Sequence, residues 1–258
     1  MQREHNIIID LSKCTGCGKC ADDCPDRVLT VTEQGAEYSG QFCVKCGHCV
    51  AICPQGAVSI SGYDDDPEVI ETCNKIEPNA LLGLMKARRS MRQFIKKEIP
   101  PDVIRQIIEV GRYTPTGGNK QGVSYVVIRE NKDKIEKIAV SLLRKAQPQL
   151  SKMIPYMKNL IIDDNFLFKG ASTVILIKSV DALDGALAAS TMELMAQSLG
   201  LGVLYSGFFI RAIRQSDELK QLLSVEKEED VVAALVLGYP AVEYIRTAQR
   251  ESANVIYM

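Results

Sequence analysis

The chain has 258 residues, with 31 Lys and Arg set against 32 Asp and Glu, so its formal net charge is −1. A balance this close to neutral offers no general electrostatic footprint for nucleic acid or for an acidic membrane surface. With 46% hydrophobic and 24% charged residues the composition is that of a folded chain, long enough for one large domain or two smaller ones.

The first ten residues, Met1–Asp10, lack the apolar core of a signal peptide. The longest purely apolar run, Val231–Leu237, falls far short of the roughly 18 residues of a membrane span. A cytoplasmic location without membrane attachment is therefore expected. Nine cysteines in a reducing compartment are poorly explained as disulfides, which makes metal or cluster ligation the leading expectation.

Eight of the nine fall in two runs of identical spacing, Cys14, Cys17, Cys20, Cys24 and Cys43, Cys46, Cys49, Cys53, offset by 29 residues throughout. Each run ends in Cys-Pro, at Pro25 and Pro54, and each is followed by a β-branched stretch, Val28–Thr32 and Val58–Ile60. This is an internal duplication. The repeated pattern C-x2-C-x2-C-x3-C-P resembles that of bacterial ferredoxins that hold two 4Fe-4S clusters. The resemblance covers residues 1–62 and implies crossed ligation: Cys14, Cys17 and Cys20 with Cys53 on one cluster, Cys43, Cys46 and Cys49 with Cys24 on the other. Zinc also takes four thiolates and is the alternative, but three cysteines at successive two-residue gaps suit the face of a cuboidal cluster better than one tetrahedral ion. Gly16, Gly18 and Gly47 allow the chain to wrap closely. So short a segment has little core, and the clusters are expected to serve as one. His48, inside a run already complete in thiolates, is expected to face solvent, and Cys73, outside both runs, has no assigned role.

Residues 63–80 read as a linker, marked by Asp64, Asp65, Asp66, Pro67 and Pro78, with room for helix over Pro67–Lys75. In the domain 81–258, Asn79 is expected to cap a helix carrying Leu81, Leu82, Leu84 and Met85. Lys86 to Arg92 then crowds four basic residues together, either as a solvated helix end or as a phosphate clamp of Arg88, Arg89 and Arg92 with the Ser90 hydroxyl. Pro101 and Asp102 open a helix with Val103, Ile104, Ile107 and Ile108 on one side, closed by Gly111. Thr114–Gln121 combines flexible backbone with amide side chains directly before a strand at Val123–Ile128. Thr173–Ile177 and Val231–Leu237 read as further strands. Asp184–Leu199 is a helix apolar nearly all round and ended by Gly200, to be buried in a large core or a subunit interface. The mixture points to an α+β domain. Neither common nucleotide-binding glycine pattern is present, since no G-x4-G-K-[ST] occurs and Tyr205 stands where the third glycine of G-x-G-x-x-G would fall after Gly200 and Gly202.

Four landmarks follow in order: Arg88-Arg-Ser-x-Arg-x-Phe94, Thr114-Pro-Thr-Gly-Gly-Asn-x-Gln121, Gly200-Leu-Gly-x-x-x-Ser-Gly207 and Leu237-Gly-Tyr-Pro240. Together they resemble the FMN-dependent nitroreductase family over residues 81–258. The resemblance implies an α+β sandwich forming an intertwined homodimer with FMN at the interface. By position, Arg88, Arg89, Ser90 and Arg92 would hold the phosphate, ribityl chain and pyrimidine edge. Pro115, Thr116, Gly117, Asn119 and Gln121 would reach the flavin from the partner subunit, and the amides of Ser206 and Gly207 would approach its reactive nitrogen. Arg246 or Arg250 would complete the phosphate clamp. Many members follow the Gln of the second motif with Pro-Trp; here Gly122 and Val123 follow, and the chain has no tryptophan, which implies a different substrate pocket.

The two resemblances imply a ferredoxin-fused flavin oxidoreductase. A reduced carrier, a ferredoxin or an NAD(P)H-linked donor, would feed the clusters, and FMN would deliver hydride to a nitroaromatic or other small electron-poor acceptor. No nucleophile or general base is required, and with His5 and His48 the only histidines, no catalytic side chain is assigned. An electron-transfer adaptor to a partner protein and a flavin or ene-type reductase with a non-nitro acceptor are the alternatives.

Overall fold

The computed structural model describes residues 4–70 and 76–258. They form two compact units, Met1–Lys75 with Thr116–Lys120, and Ile76–Pro115 with Gln121–Met258.

The first unit is built twice over. Its elements are β1 (Ile7–Ile9), α1 (Lys19–Asp22), β2 (Leu29–Thr32), β3 (Gly35–Tyr38), α2 (His48–Ile52) and β4 (Val58–Ile60). The β-branched stretches after each cysteine run become β2 and β4. Each run turns into its short helix from a glycine in the left-handed region, Gly18 at φ 80° and Gly47 at φ 75°, where a side chain would be strained. β1 pairs antiparallel with β4, and β2 with β3. The small core is Cys20, Leu29, Ala36, Cys49 and Val58, so two thiols are part of it.

The second unit comprises α3 (Pro78–Ala87), α4 (Pro101–Arg112), β5 (Ser124–Ile128), α5 (Lys132–Met153), β6 (Thr173–Ser179), α6 (Ala182–Ser198), β7 (Gly202–Tyr205), α7 (Gly207–Arg214), α8 (Asp217–Leu222) and β8 (Asp230–Gly238). The four strands form one antiparallel sheet in the order β5-β6-β8-β7. Successive side chains of a strand point to opposite faces. Val174, Leu176, Ala234 and Val236 therefore pack in one core with α5, α7 and α8. Ile175, Ile177, Ala233 and Leu235 pack in another with α4 and α6. Helices on both faces explain why β6 and β8 are apolar without alternation, and they give the expected α+β sandwich.

Several local expectations are corrected. Glu77, not Asn79, caps α3, its carboxylate accepting from the Ala80 amide at 2.8 Å. Gly111 does not end α4, which runs to Arg112. A Cβ there would fall 2.5 Å from the Tyr125 hydroxyl, so Gly111 is required for close packing. Helix α6 starts at Ala182, where the Asp181 carboxylate accepts from the Leu183 amide, and Gly200 follows its end at φ 76°. Leu183, Ala186, Leu187 and Ser190 form an exposed stripe on α6 in the single chain. Residues 67–70 are not helical, and the remainder of the segment allowed for helix, with Cys73, lies outside the described residues.

Candidate functional site

Strand register brings the cysteines together. Ile9 pairs with Val58, and Cys14 and Cys53 lie five residues beyond these partners on the same side of the ladder. Leu29 pairs with Tyr38, and Cys24 and Cys43 lie five residues beyond those. One cavity is accordingly lined by Cys14, Cys17, Cys20 and Cys53. A second is lined by Cys24, Cys43, Cys46 and Cys49. Among the described residues no three such donors meet at a point suited to a single ion. Eight thiols arranged as two sets of four around cavities fit the donor chemistry of two clusters.

Backbone amides approach three sulfurs: Ala36 N to Cys14 Sγ at 3.4 Å, Lys45 N to Cys43 Sγ at 3.3 Å and Ala57 N to Cys53 Sγ at 3.3 Å. Donors of this kind stabilise negative charge on ligand sulfur and tune a cluster's potential. Burial pushes the Cys49 thiol up to about 11, with Cys43 and Cys46 adding to the rise. Ligation needs the thiolate, so loading this site releases protons. His48 is exposed, as expected, with Nδ1 3.0 Å from the Asp23 carboxylate.

In the second unit the Arg88–Phe94 segment is laid alongside the sheet. Ser90 forms a parallel bridge with Val203 of β7, and Phe94 an antiparallel one with Pro240. The Met91 amide donates to Val203 O at 2.8 Å and the Ile95 amide to Tyr239 O at 3.0 Å. Two glycines of the later landmarks make room for it. A Cβ on Gly202 would lie 2.6 Å from Met91 Cγ, and one on Gly238 would lie 2.7 Å from Phe94 Cδ1. β7 thus joins two landmarks physically. Ser206 stands three residues beyond the partner of Ser90, roughly 10 Å along an extended chain.

Ser206 is buried at the start of α7. Its amide donates to Ala234 O at 2.9 Å, and its hydroxyl to Leu167 O at 3.1 Å. The turn carrying Leu167 is held in turn by buried Glu136, whose Oε1 accepts from the amides of Leu167 at 3.0 Å and Phe168 at 2.6 Å. Burial raises the Glu136 carboxyl above its ordinary range, outweighing those two hydrogen bonds.

The arginines are engaged unequally. Arg88 Nη1 donates to Glu193 Oε1 at 2.9 Å. Arg89 Nη1 donates to the carbonyls of Lys86 and Arg88, while its Nη2 is buried without a partner. Arg92 Nη1 donates to Ser90 O at 3.3 Å from an exposed position. An orphaned buried guanidinium nitrogen beside two more arginines and a serine fits an oxyanion such as a flavin phosphate. Arg246 and Arg250 are exposed, and among the described residues no hydrogen bond or ion pair joins either to the 88–92 segment. Pro115 and Gln121 belong to the second unit, whereas Thr116–Lys120 belongs to the first. There Asn119 Nδ2 donates to Val44 O at 3.1 Å and to Lys45 O at 2.8 Å. Gly118 has φ 58°, and the non-glycine residues Asn119 and Gln121 also take positive φ (53° and 51°), a backbone conformation uncommon outside glycine.

Glu193 and Tyr205 escaped the sequence reading. The available signal was a lone acid midway along α6, between Met192 and Leu194.

The chain matches the model of the nitroreductase family over residues 85–239, well over half its length, and it belongs to that family. The 4Fe-4S dicluster domain model matches residues 6–62, so a cluster domain precedes the nitroreductase domain. The FMN reductase (NAD(P)H) of Bacillus subtilis is 27% identical over 177 residues, covering 63% of this chain and 67% of that protein. A nitroreductase with bound FMN from Desulfitobacterium hafniense aligns with a TM-score of 0.58 at 18% identity, covering 70% of this chain and all of that one. Another with bound FMN, from Bacteroides fragilis, gives a TM-score of 0.55 at 20% identity, over 69% of this chain and 97% of that one. These two likenesses establish the fold. No helix among the described residues is long and apolar enough to cross a membrane.

Proposed function

We propose that this chain is an FMN-dependent oxidoreductase fed through its own pair of 4Fe-4S clusters, with a cluster domain at 1–62, a linker at 63–80 and a flavin domain at 81–258. The observation that carries it is the presence, on one nitroreductase-family chain, of eight thiols grouped around two cavities and an arginine cluster with an orphaned buried donor. When bound, the clusters relay single electrons and FMN converts them to hydride transfer. Cys14, Cys17, Cys20 and Cys53 hold one cluster, and Cys24, Cys43, Cys46 and Cys49 the other. Arg88, Arg89, Ser90 and Arg92 hold the phosphate, ribityl chain and pyrimidine edge of FMN, with the Arg88 guanidinium at the phosphate, and the segment they occupy is fixed by its bonds to β7. Ser206 and Gly207, at the far end of the same strand, lie beside the ring, with the Gly207 amide facing it while the Ser206 amide is held by Ala234 O. Pro115, Thr116, Gly117, Asn119 and Gln121 complete the flavin site of a homodimer, with Arg246 or Arg250 closing the phosphate clamp. The chain's residues bind, orient and exclude water, and none acts as a nucleophile or general base. The acceptor is a nitroaromatic or another small electron-poor molecule, and the donor a reduced ferredoxin or an NAD(P)H-linked carrier.

Anaerobically purified protein should carry about eight iron and one FMN per chain. Turnover of a nitroarene by the reduced protein is the test. Clusters and flavin without turnover of any small acceptor would replace the enzyme reading with that of an electron-transfer adaptor. The Bacillus subtilis relative's name favours a second reading, reduction of free flavin, which an acceptor screen including free FMN separates.

A further inference from the structure

The flavin reading gives Arg88 a phosphate to hold, but the structure also gives it a partner that this reading does not use. Glu193 lies on α6 and is 5% exposed, within a helix whose buried neighbours include Ala189, Met192 and Ala196. A carboxylate this far from water persists only with a charged or hydrogen-bonding partner. That partner is Arg88, at 2.9 Å, whose side chain is about a third exposed (34%). The pair is therefore one-sided: the acid is inside and the guanidinium stands at the boundary. Only Nη1 is engaged, and among the described residues Arg88 makes no other side-chain hydrogen bond. The Tyr205 hydroxyl lies beside the carboxylate. It donates to Ala189 O at 3.1 Å, and burial together with the adjacent Glu193 raises it well above the ordinary tyrosine range, so it stays a neutral donor.

We propose that Glu193 is a positioning residue for the flavin phosphate, acting through Arg88: it holds one nitrogen of the guanidinium so that the remaining donors face outward along the 88–92 segment. The proposal rests on the FMN reading above. The physical basis is preorganisation. An unanchored arginine must give up rotamer freedom when it meets a phosphate, whereas one already pinned from behind has given it up on folding. The same carboxylate cancels part of the charge of Arg88, so the phosphate gains geometry at some expense of attraction. The neighbouring Arg89 and Arg92 supply the net positive charge.

The test compares FMN with riboflavin, which has the same ring and ribityl chain but no phosphate, by fluorescence titration of flavin-depleted full-length protein, with cluster absorbance as a check on integrity. Glu193→Ala should weaken FMN about tenfold or more, the usual scale for removing a group that orients a ligating residue. Riboflavin binding should stay within about twofold. Arg88→Ala should show the same selectivity, and the double variant should be no weaker for FMN than Arg88→Ala alone, since the two act as one unit. Glu193→Gln keeps the volume and an acceptor oxygen, so it should fall between wild type and Glu193→Ala for FMN and match wild type for riboflavin; it carries the test if the alanine variant fails to fold. Equal losses for both flavins would make Glu193 merely structural, and unchanged or tighter FMN binding would show that Arg88 needs no anchor; either result overturns the proposal. A wild-type protein that binds neither flavin would instead refute the FMN reading itself, and this proposal with it.

Discussion

Gly202→Ala tests whether the arginine segment truly rests on β7. The new methyl carbon would lie 2.6 Å from Met91 Cγ and 2.8 Å from Met91 Cβ. Met91 cannot yield by turning the end of its side chain, because the close atoms are next to its backbone. That backbone is tied to Val203 O at 2.8 Å, and the side chain is 5% exposed. The segment must therefore shift, and overpacking of this kind costs about 1–3 kcal/mol. For a domain of this size each kcal/mol lowers Tm by roughly 2–4 °C, so a fall of about 2–12 °C is expected in calorimetry. FMN affinity should fall with it, because Ser90 and Arg92 flank the displaced residue. In a Met91→Gly background the same substitution should cost about 1–3 kcal/mol less, since the clashing atoms are gone. Gly83→Ala is the control: no atom lies within 4 Å of its added Cβ, and in the interior of α3 the change should be neutral or stabilising by up to about 1 kcal/mol. Unchanged Tm and FMN affinity in Gly202→Ala would refute the packing of Met91 on β7 and the route by which the motif is positioned.

Replacing Cys53 by Ala should abolish the cluster shared with Cys14, Cys17 and Cys20 and spare the other, as read by iron content and electron paramagnetic resonance; loss confined to the cluster of Cys43, Cys46 and Cys49 would overturn the crossed assignment. Glu229 contributes to stability through Lys178, 2.7 Å away and almost buried. Burial alone would raise its carboxyl, but the Lys178 and Ser124 hydrogen bonds outweigh this and hold it below the ordinary value of 4.5. Its contribution is thus complete above about pH 4.5 and is lost as pH falls through the lower folded value. Glu229→Gln should cost about 3 kcal/mol at pH 7, by leaving the Lys178 charge uncompensated, and the gap from wild type in denaturant melts should narrow below pH 4.5. In solution at low micromolar concentration the protein should have the mass of two chains and lose flavin on dissociation; a stable monomer fully loaded with FMN would contradict the homodimer and the partner-supplied Pro115–Gln121 segment.

The parts of this protein readable from the chain alone are those governed by local rules. Cysteine spacing announces two repeated loops because a cluster constrains residues a few positions apart. The apolar runs at Thr173–Ile177 and Val231–Leu237 announce strands because both their faces end up covered. Helix boundaries were less legible where polar caps compete: Glu77 and Asn79 are equally plausible starts until one carboxylate reaches the Ala80 amide. Short elements such as β1, β3 and β7 carry too few residues to show a period, and α5 went unread between more obvious segments.

What tertiary structure decided depends on residues distant in sequence. Gly111 looks like a helix terminator in the chain but is a packing site set by Tyr125, and Gly202 and Gly238 look like flexibility but are contact surfaces for Met91 and Phe94. Which cysteines share a cavity follows from the antiparallel registers Ile9 with Val58 and Leu29 with Tyr38, which no spacing within one run contains. Glu193 is 105 residues from Arg88, and only the docking of α6 beside the arginine segment turns an isolated acid into its partner. Spacing along the chain encodes what a loop or a strand can do by itself. Burial and pairing are properties of the folded sheet, because they depend on which distant surfaces come to exclude water together.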